Sequence, residues 1–260
     1  MTEHEQLVER FRALGIDPTT PGFLRDQAFL AAAAHDPFLP EAYARLVLSR
    51  ASSPAECVRA RRLVLQTARL VHARLLEDGR LGHCLPTAQV ISRLLDAQGV
   101  WNVVVNGALG ITLPYTRLSL PAIADLQGRT VTGHAWVVAP PFLVVDVSVQ
   151  RQPWDDHLTL LPQVVLSEHL EPAHVYADTL LRAEAHAALE AALGRSPTVA
   201  DVQARVPWLT KALRRLPTGA VLFGEVRLDY VPLTVPSELE AGHLTLAGQP
   251  WQALSQQLAG

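Results

Sequence analysis

The chain has 260 residues, of which 49% are hydrophobic and 18% are charged, a composition typical of a globular protein with a substantial core. Its formal net charge of −3 leaves no excess of basic side chains to neutralise phosphates, so we expect no nucleic-acid partner. Two cysteines are too few for a disulfide scaffold or a four-cysteine zinc site, and the first residues lack the layout of a secretory signal. We therefore expect a protein of the reducing cytoplasm.

Residues 1–79 show apolar positions near helical spacing and predict a helical N-terminal subdomain. Ser53 and Pro54, followed by Glu56, indicate a helix start, because a hydroxyl caps free backbone amides and proline fits a first turn. The helix that begins there should end at Gly79, since glycine readily adopts the left-handed conformation of a C-terminal cap.

A second helix is predicted over 85–97, where the apolar residues fall on one stripe. Pro86 is tolerated only in a first turn, so Cys84 should lie at the N-terminus of this helix. The uncharged stretch 97–116 is interrupted by glycine, asparagine and proline. We interpret it as turns between short buried strands, not as a membrane span.

The rest of the chain alternates β-rich runs with a helical block. The runs at 100–105, 135–138, 143–149 and 220–233 could form one antiparallel sheet packed against the Cys84 helix. The block at about 176–216 shows no change of composition that would mark a linker, so we interpret it as a helical insertion. The expected fold class is α+β, with segments 1–79 and 80–260 forming one compact domain.

Cys84, His134 and Asp146 are the candidate catalytic residues. A helix N-terminus favours the thiolate of Cys84, an imidazole can act as its base, and a carboxylate fixes the imidazole tautomer. The proline pair at 140–141 lies midway between His134 and Asp146 and could turn the chain so that their strands pair. A cysteine can also be a small buried hydrophobe, the interpretation that we favour for Cys57.

These residues resemble the catalytic core of the transglutaminase-like superfamily, within the papain-like fold. The resemblance covers about residues 80–150 and rests on the cysteine at a helix start, the Gly-His-Ala-Trp-Val segment and the Val-Val-Asp-Val strand. It implies that Cys84 is the nucleophile, His134 the base and Asp146 the group that orients it. Family members include crosslinking enzymes, peptidases, amidases and deamidases. No tryptophan precedes Cys84 and no calcium-loop spacing is present, which favours a hydrolase or acyltransferase over calcium-activated crosslinking.

The resemblance implies a peptide, protein or small amide substrate, and the residues themselves lead us to expect no cofactor, metal or membrane partner. One alternative is an arylamine N-acetyltransferase-like enzyme that uses acetyl-coenzyme A, because Arg80 to Cys84 resembles the Arg-Gly-Gly-x-Cys motif except at Leu81. Another is a protein-interaction domain that has lost catalysis. The adjacent residues Asp155, Asp156 and His157 could suggest a metal patch, but three neighbours on a loop cannot all face one ion, so a solvated turn is favoured. The oligomeric state stays open.

Overall fold

The computed structural model describes residues 1–154, 160–236 and 244–259. The first 79 residues are helical, as their periodicity predicts. They form four α-helices: α1 (Glu3–Ala13), α2 (Gln27–Ala33), α3 (Leu39–Ser49) and α4 (Pro54–Asp78).

Both predicted ends of α4 are confirmed. The Ser53 hydroxyl accepts a hydrogen bond from the Glu56 amide at 3.2 Å, and the Glu56 carboxylate accepts one from the Ser53 amide at 2.8 Å. This reciprocal pair satisfies two amides that the first helical turn leaves free. At the other end Gly79 adopts φ +70°, the left-handed conformation that suits glycine.

An antiparallel sheet forms the centre of the molecule. Its strands are β1 (Val103–Thr112), β2 (Arg117–Leu120), β3 (His134–Ala139), β4 (Phe142–Asp146), β5 (Val165–Ser167), β6 (Gly219–Phe223) and β7 (Val226–Thr234). They follow the order β5-β4-β3-β1-β7-β6, and β2 pairs with the second half of β1. A bridge between Glu171, which follows β5, and Ala220 of β6 nearly closes the sheet.

The interpretation of 97–116 as turns between short strands holds at Gly99 and Pro114, which lie in turns, but is wrong between them, because β1 is a single strand of ten residues. Within β1, Gly107 marks a close backbone approach instead of a turn. At Gly107, beside a shift in the pairing of β1 with β7, a Cβ atom would lie 2.0 Å from the Val231 carbonyl oxygen. Only glycine fits such a position in a strand.

Helices cover both faces of the sheet. α1, α2 and α3 bury their apolar side chains on one face, in a cluster that includes Phe11, Phe23 and Tyr43. The other face packs against α4, α5 (Cys84–Ala97) and the C-terminal α10 (Trp251–Ala259). The sequence analysis predicted neither α10 nor the short hairpin before it, formed by β8 (Thr245–Leu246) and β9 (Gln249–Pro250).

The predicted helical block lies between β5 and β6 and forms a third apolar cluster with the sheet. It consists of α6 (Ala177–Leu180), α7 (Ala183–Leu193), α8 (Val199–Arg205) and α9 (Trp208–Arg215). The chain therefore has a mixed α+β architecture, with an antiparallel sheet between helical layers. Within the described ranges, no helix is both long enough and apolar enough to cross a membrane.

Candidate active site

Cys84 is the first residue of α5, as predicted, and only 3% of it is exposed. The loop before it is fixed to the segment that follows β4. Gly82 turns the chain with φ +72°, and its amide donates to the Arg151 carbonyl oxygen at 2.9 Å. The Arg151 guanidinium in turn donates to the Gly79 carbonyl oxygen at 3.0 Å. These contacts hold the start of α5, and with it the thiol, beside the end of the β3–β4 hairpin.

His134 is the first residue of β3, and its side chain is fully buried. It lies opposite Gly107 of β1. The preceding Gly133 sits so close to the neighbouring backbone that a Cβ atom there would lie 2.6 Å from the Leu120 carbonyl oxygen. Because it has no side chain, Gly133 lets the chain pass close to Leu120 as it enters the sheet. This close passage sets the position of the His134 backbone at the start of β3.

Asp146 is the last residue of β4, which pairs antiparallel with β3 across the turn at Pro140 and Pro141. This confirms the predicted hairpin. The Nε2 atom of His134 and the Oδ2 atom of Asp146 are 2.6 Å apart, a hydrogen bond between two buried side chains. The hairpin thus brings together two residues that are twelve positions apart in sequence.

Two further residues hold the Asp146 carboxylate. Oδ1 accepts hydrogen bonds from the Ser148 amide at 2.8 Å and the Ser148 hydroxyl at 3.0 Å. Oδ2 accepts a third from the Tyr230 hydroxyl at 3.0 Å. The sequence analysis missed both residues. Ser148 could have been found, since a serine two positions after an aspartate can bond to it locally, whereas Tyr230 lies on β7, 84 residues away.

The electrostatics of this cluster favour a charged pair. Burial lowers the pKa of His134, but the charge and hydrogen bond of Asp146, with a further contribution from Cys84, raise the pKa to about 10. Burial raises the pKa of Asp146, yet His134 and Ser148 lower it overall. Burial and the neighbouring carboxylate raise the pKa of Tyr230 well above its usual range. Both shifts favour the charged forms, an imidazolium at His134 and a carboxylate at Asp146, over the neutral pair.

The second ring nitrogen of His134 is left for the thiol. Nδ1 is buried and has no hydrogen-bond partner of good geometry within the described part of the chain. Cys84 is close enough that its charge helps to raise the pKa of the same ring. The structure therefore gathers all three predicted residues, Cys84, His134 and Asp146, into one buried cluster.

Aromatic side chains pack around the imidazole. Trp136, two residues along β3, stacks beside His134 with ring centroids 6.2 Å apart, and it contacts Tyr230 edge-on at 5.0 Å. Trp136 is buried in the core cluster, and the indole N–H of Trp154 donates to the Val149 carbonyl oxygen at 2.6 Å. Both tryptophans therefore have a packing role.

The other candidate residues lie apart from this cluster. Cys57 is a half-buried free thiol within α4. Asp155, Asp156 and His157 lie outside the described residues. Across residues 1–154, 160–236 and 244–259, no three His, Cys, Asp or Glu side chains are grouped as metal ligands would be.

No protein-family model, curated protein or solved structure matches this chain. The functional argument therefore depends on the geometry of the cluster and on the chemistry of its side chains.

Proposed function

We propose that this protein is a cysteine-dependent acyl-transfer enzyme of transglutaminase-like type that acts on a peptide or amide. The observation that carries the proposal is the buried His134–Asp146 hydrogen bond of 2.6 Å, which leaves Nδ1 of the ring unpartnered among the described residues and available to Cys84. A thiol at a helix start, an imidazole and a carboxylate are the groups that nucleophilic acyl transfer requires.

In the proposed reaction the Cys84 sulfur attacks the carbonyl carbon of the substrate as a thiolate, with its proton held by His134. The carbonyl π bond breaks and leaves a negative charge on oxygen. When the carbonyl re-forms, the bond to the leaving amine breaks, and the His134 imidazolium donates its proton to the amine nitrogen. A water or a second amine then attacks the thioester and gives up a proton to His134, and the sulfur leaves as thiolate.

The surrounding residues have defined parts in this reaction. Asp146 keeps the imidazole oriented and stabilises its charged form, and Ser148 and Tyr230 keep the carboxylate in place. The first amides of α5 have no partners within the helix, so those of Cys84 and Leu85 are the nearest donors for the oxyanion.

The fold also supports this proposal. A helix that begins with the cysteine packs against an antiparallel sheet, and the histidine and aspartate lie on adjacent strands of that sheet, as the transglutaminase-like resemblance implies. Leu81, which stands where the acetyltransferase-like motif has glycine, is 47% exposed. Its side chain is therefore only partly exposed, and the test of the proposal uses both kinds of acyl donor.

A binding domain without catalysis is the second candidate, and a specific observation favours it. Cys84 is almost fully buried and His134 completely so, whereas a nucleophile must meet its substrate. The two candidates differ in one respect that can be measured, namely whether an acyl group can reach the sulfur.

Incubation with p-nitrophenyl acetate and, separately, with acetyl-coenzyme A, followed by intact-mass measurement, tests the proposal. We expect one acetyl group on Cys84 from the activated ester, lost again on standing or on adding an amine. Cys84→Ala should remove the adduct and Cys57→Ala should retain it. An adduct from acetyl-coenzyme A that an arylamine discharges would favour the acetyltransferase-like alternative. Absence of any adduct on Cys84 would favour the binding domain.

A further inference from the structure

A cavity of about 630 Å³ lies between the N-terminal helices and the inserted helical block. This volume is in the range of small-molecule sites, about 300–1,000 Å³. One face of α9 forms a wall, because its four lining residues are spaced i, i+3, i+4 and i+7. Besides this face of α9, the lining includes Pro37, Phe38 and Glu41 near the start of α3, Pro207 directly before α9, and Leu233 at the end of β7.

We call this space the α3–α9 cavity. Its walls offer apolar surface to a ligand. Phe38 is 56% exposed although it is a large aromatic residue. The Trp208 indole N–H donates to the Gly128 carbonyl oxygen at 3.2 Å, so the polar edge of this ring is already satisfied. Leu233 and the two prolines complete the apolar lining. Exposed apolar carbon in a concave site is the surface that a ligand body covers on binding.

The charges in the α3–α9 cavity are unevenly matched. Arg215 of α9 bonds to Glu41 of α3, and its guanidinium lies over the Phe38 ring, 4.9 Å from the centroid. Lys211 is one helical turn before Arg215 and on the same face of α9. Within the described ranges no carboxylate lies at ion-pair distance from Lys211. Among the described residues the lining therefore has two cations, Lys211 and Arg215, and one anion, Glu41, which leaves the charge of Lys211 unmatched there.

We propose that the α3–α9 cavity binds an amphipathic monoanion, that is, an apolar or aromatic body that ends in one carboxylate. The body would lie against Phe38 and Trp208, and the carboxylate would pair with the Lys211 ammonium. A doubly charged phosphate would exceed the single unmatched cation and meet the Glu41 carboxylate, while a cationic ligand would be repelled by Lys211. None of the lining residues belongs to the Cys84 cluster, so the site is independent of the proposed acyl transfer.

Binding of 2-naphthoate to the full chain, measured by calorimetry, tests this proposal. The matched ligands are 2-naphthamide, which is neutral, and 2-naphthylmethylammonium, which is positive. We expect 2-naphthoate to bind at least about fivefold more tightly than either, since a partly exposed ion pair contributes on the order of 1 kcal/mol. Equal affinity of the three ligands, or no binding of 2-naphthoate at millimolar concentration, would overturn the proposal.

Variants of α9 locate the site. Lys211→Gln should weaken 2-naphthoate binding at least about fivefold, and Lys211→Arg should retain most of the affinity because it keeps the charge. The control is Arg214→Gln, which removes a positive charge from the same helix at a position outside the cavity lining. An equal loss in the Arg214 and Lys211 variants would show a general charge effect and would contradict the assigned site.

A second readout needs no variant. Lys211 is the only lysine in the chain, so reductive methylation with ¹³C-formaldehyde labels a single side chain besides the N-terminal amine. We expect the dimethyl-lysine signal to shift on addition of 2-naphthoate and not on addition of the ammonium analogue. An unchanged signal at saturating 2-naphthoate would exclude Lys211 from the binding site.

Discussion

The end of the sheet around His134 and the surface of α4 around His72 shift the pKa of a histidine in opposite directions. Burial and the charge of Arg151 lower the pKa of His72. Burial also acts to lower the pKa of His134, but the fixed carboxylate of Asp146 outweighs it and the pKa rises. The comparison teaches that burial by itself favours a neutral imidazole. A charged imidazole requires a partner whose position the fold enforces, so the partner, not the burial, marks His134 as the candidate base.

Removing the thiol should have the largest effect. Cys84→Ala should lower the rate of acyl-enzyme formation from p-nitrophenyl acetate by a factor on the order of 10³ or more, because the proposed nucleophile is removed. Intact-mass measurements on samples quenched at successive times give this rate. The matched substitution Cys57→Ala should leave the rate within about twofold, as that thiol lies in α4, apart from the Cys84 cluster. Full activity in Cys84→Ala would show that the nucleophile is wrongly assigned.

Removing the Asp146 carboxylate should have the largest effect on the stability of the fold. Asp146→Asn replaces an acceptor of four hydrogen bonds and removes the partner that keeps a buried His134 charged. We expect the free energy of unfolding in urea to fall by about 3 kcal/mol or more.

The control for this change is Asp178→Asn, which alters an exposed pair with Arg117 and should cost no more than about 1 kcal/mol. Similar losses at the two positions would mean that the buried pair has no special role in the fold.

The two histidines should also give opposite pH dependence. The folded pKa of His134, about 10, lies above its unfolded value of 6.5, so its stabilising contribution is complete below pH 6.5 and is lost as the pH rises towards 10. The Cys84→Ala background lacks the Cys84 contribution to this pKa, so there the stability advantage of His134 over His134→Gln should decline from pH 6.5 upwards and be lost below pH 10, by at most about 1.4 kcal/mol per pH unit.

For His72 the folded pKa is lower than the unfolded one, so its contribution to stability increases, instead of decreasing, as the pH rises. Relative to His72→Gln, the wild-type chain should lose stability as the pH falls below 6.5, where the unfolded imidazole takes up a proton first. Urea unfolding across pH 5 to 10 measures both effects. The same sign for both variants would contradict the comparison.

Removing the Tyr230 hydroxyl should have the smallest effect. Tyr230→Phe keeps the ring against Trp136 and deletes one donor to the Asp146 carboxylate, so we expect a loss of about 1.5 kcal/mol in the free energy of unfolding. Tyr115→Phe is the matched control because Tyr115 is 99% exposed, and it should change stability by less than about 0.5 kcal/mol. Equal effects would show that the hydroxyl does not support the cluster.

Local signals explain which features could be predicted. The caps of α4, the helix start at Cys84 and the turn at Pro140 depend on residues within a few positions of one another, and all are present in the structure. The pairing of His134 with Asp146 followed from that one hairpin. Its part in catalysis stays a prediction.

Contacts between distant segments could not be predicted. The bond from Tyr230 to Asp146 depends on β7 pairing with β1, and the α3–α9 cavity depends on the Glu41–Arg215 contact across 174 positions. The continuity of β1 through Gly107 was missed for the same reason. In a single sequence, a glycine that admits a neighbouring strand looks like a glycine in a turn.

The relative reactivity of the two cysteines tests the central claim most directly. Cys57 is the more accessible thiol and Cys84 is 3% exposed, so accessibility alone predicts that iodoacetamide labels Cys57 first. If His134 activates the Cys84 sulfur, Cys84 should react faster at pH 6, where an ordinary thiol is almost fully protonated, and His134→Gln should abolish this preference. Peptide mapping after brief labelling distinguishes the two. Faster labelling of Cys57 at every pH, with Cys84 modified only on unfolding, would contradict an activated nucleophile.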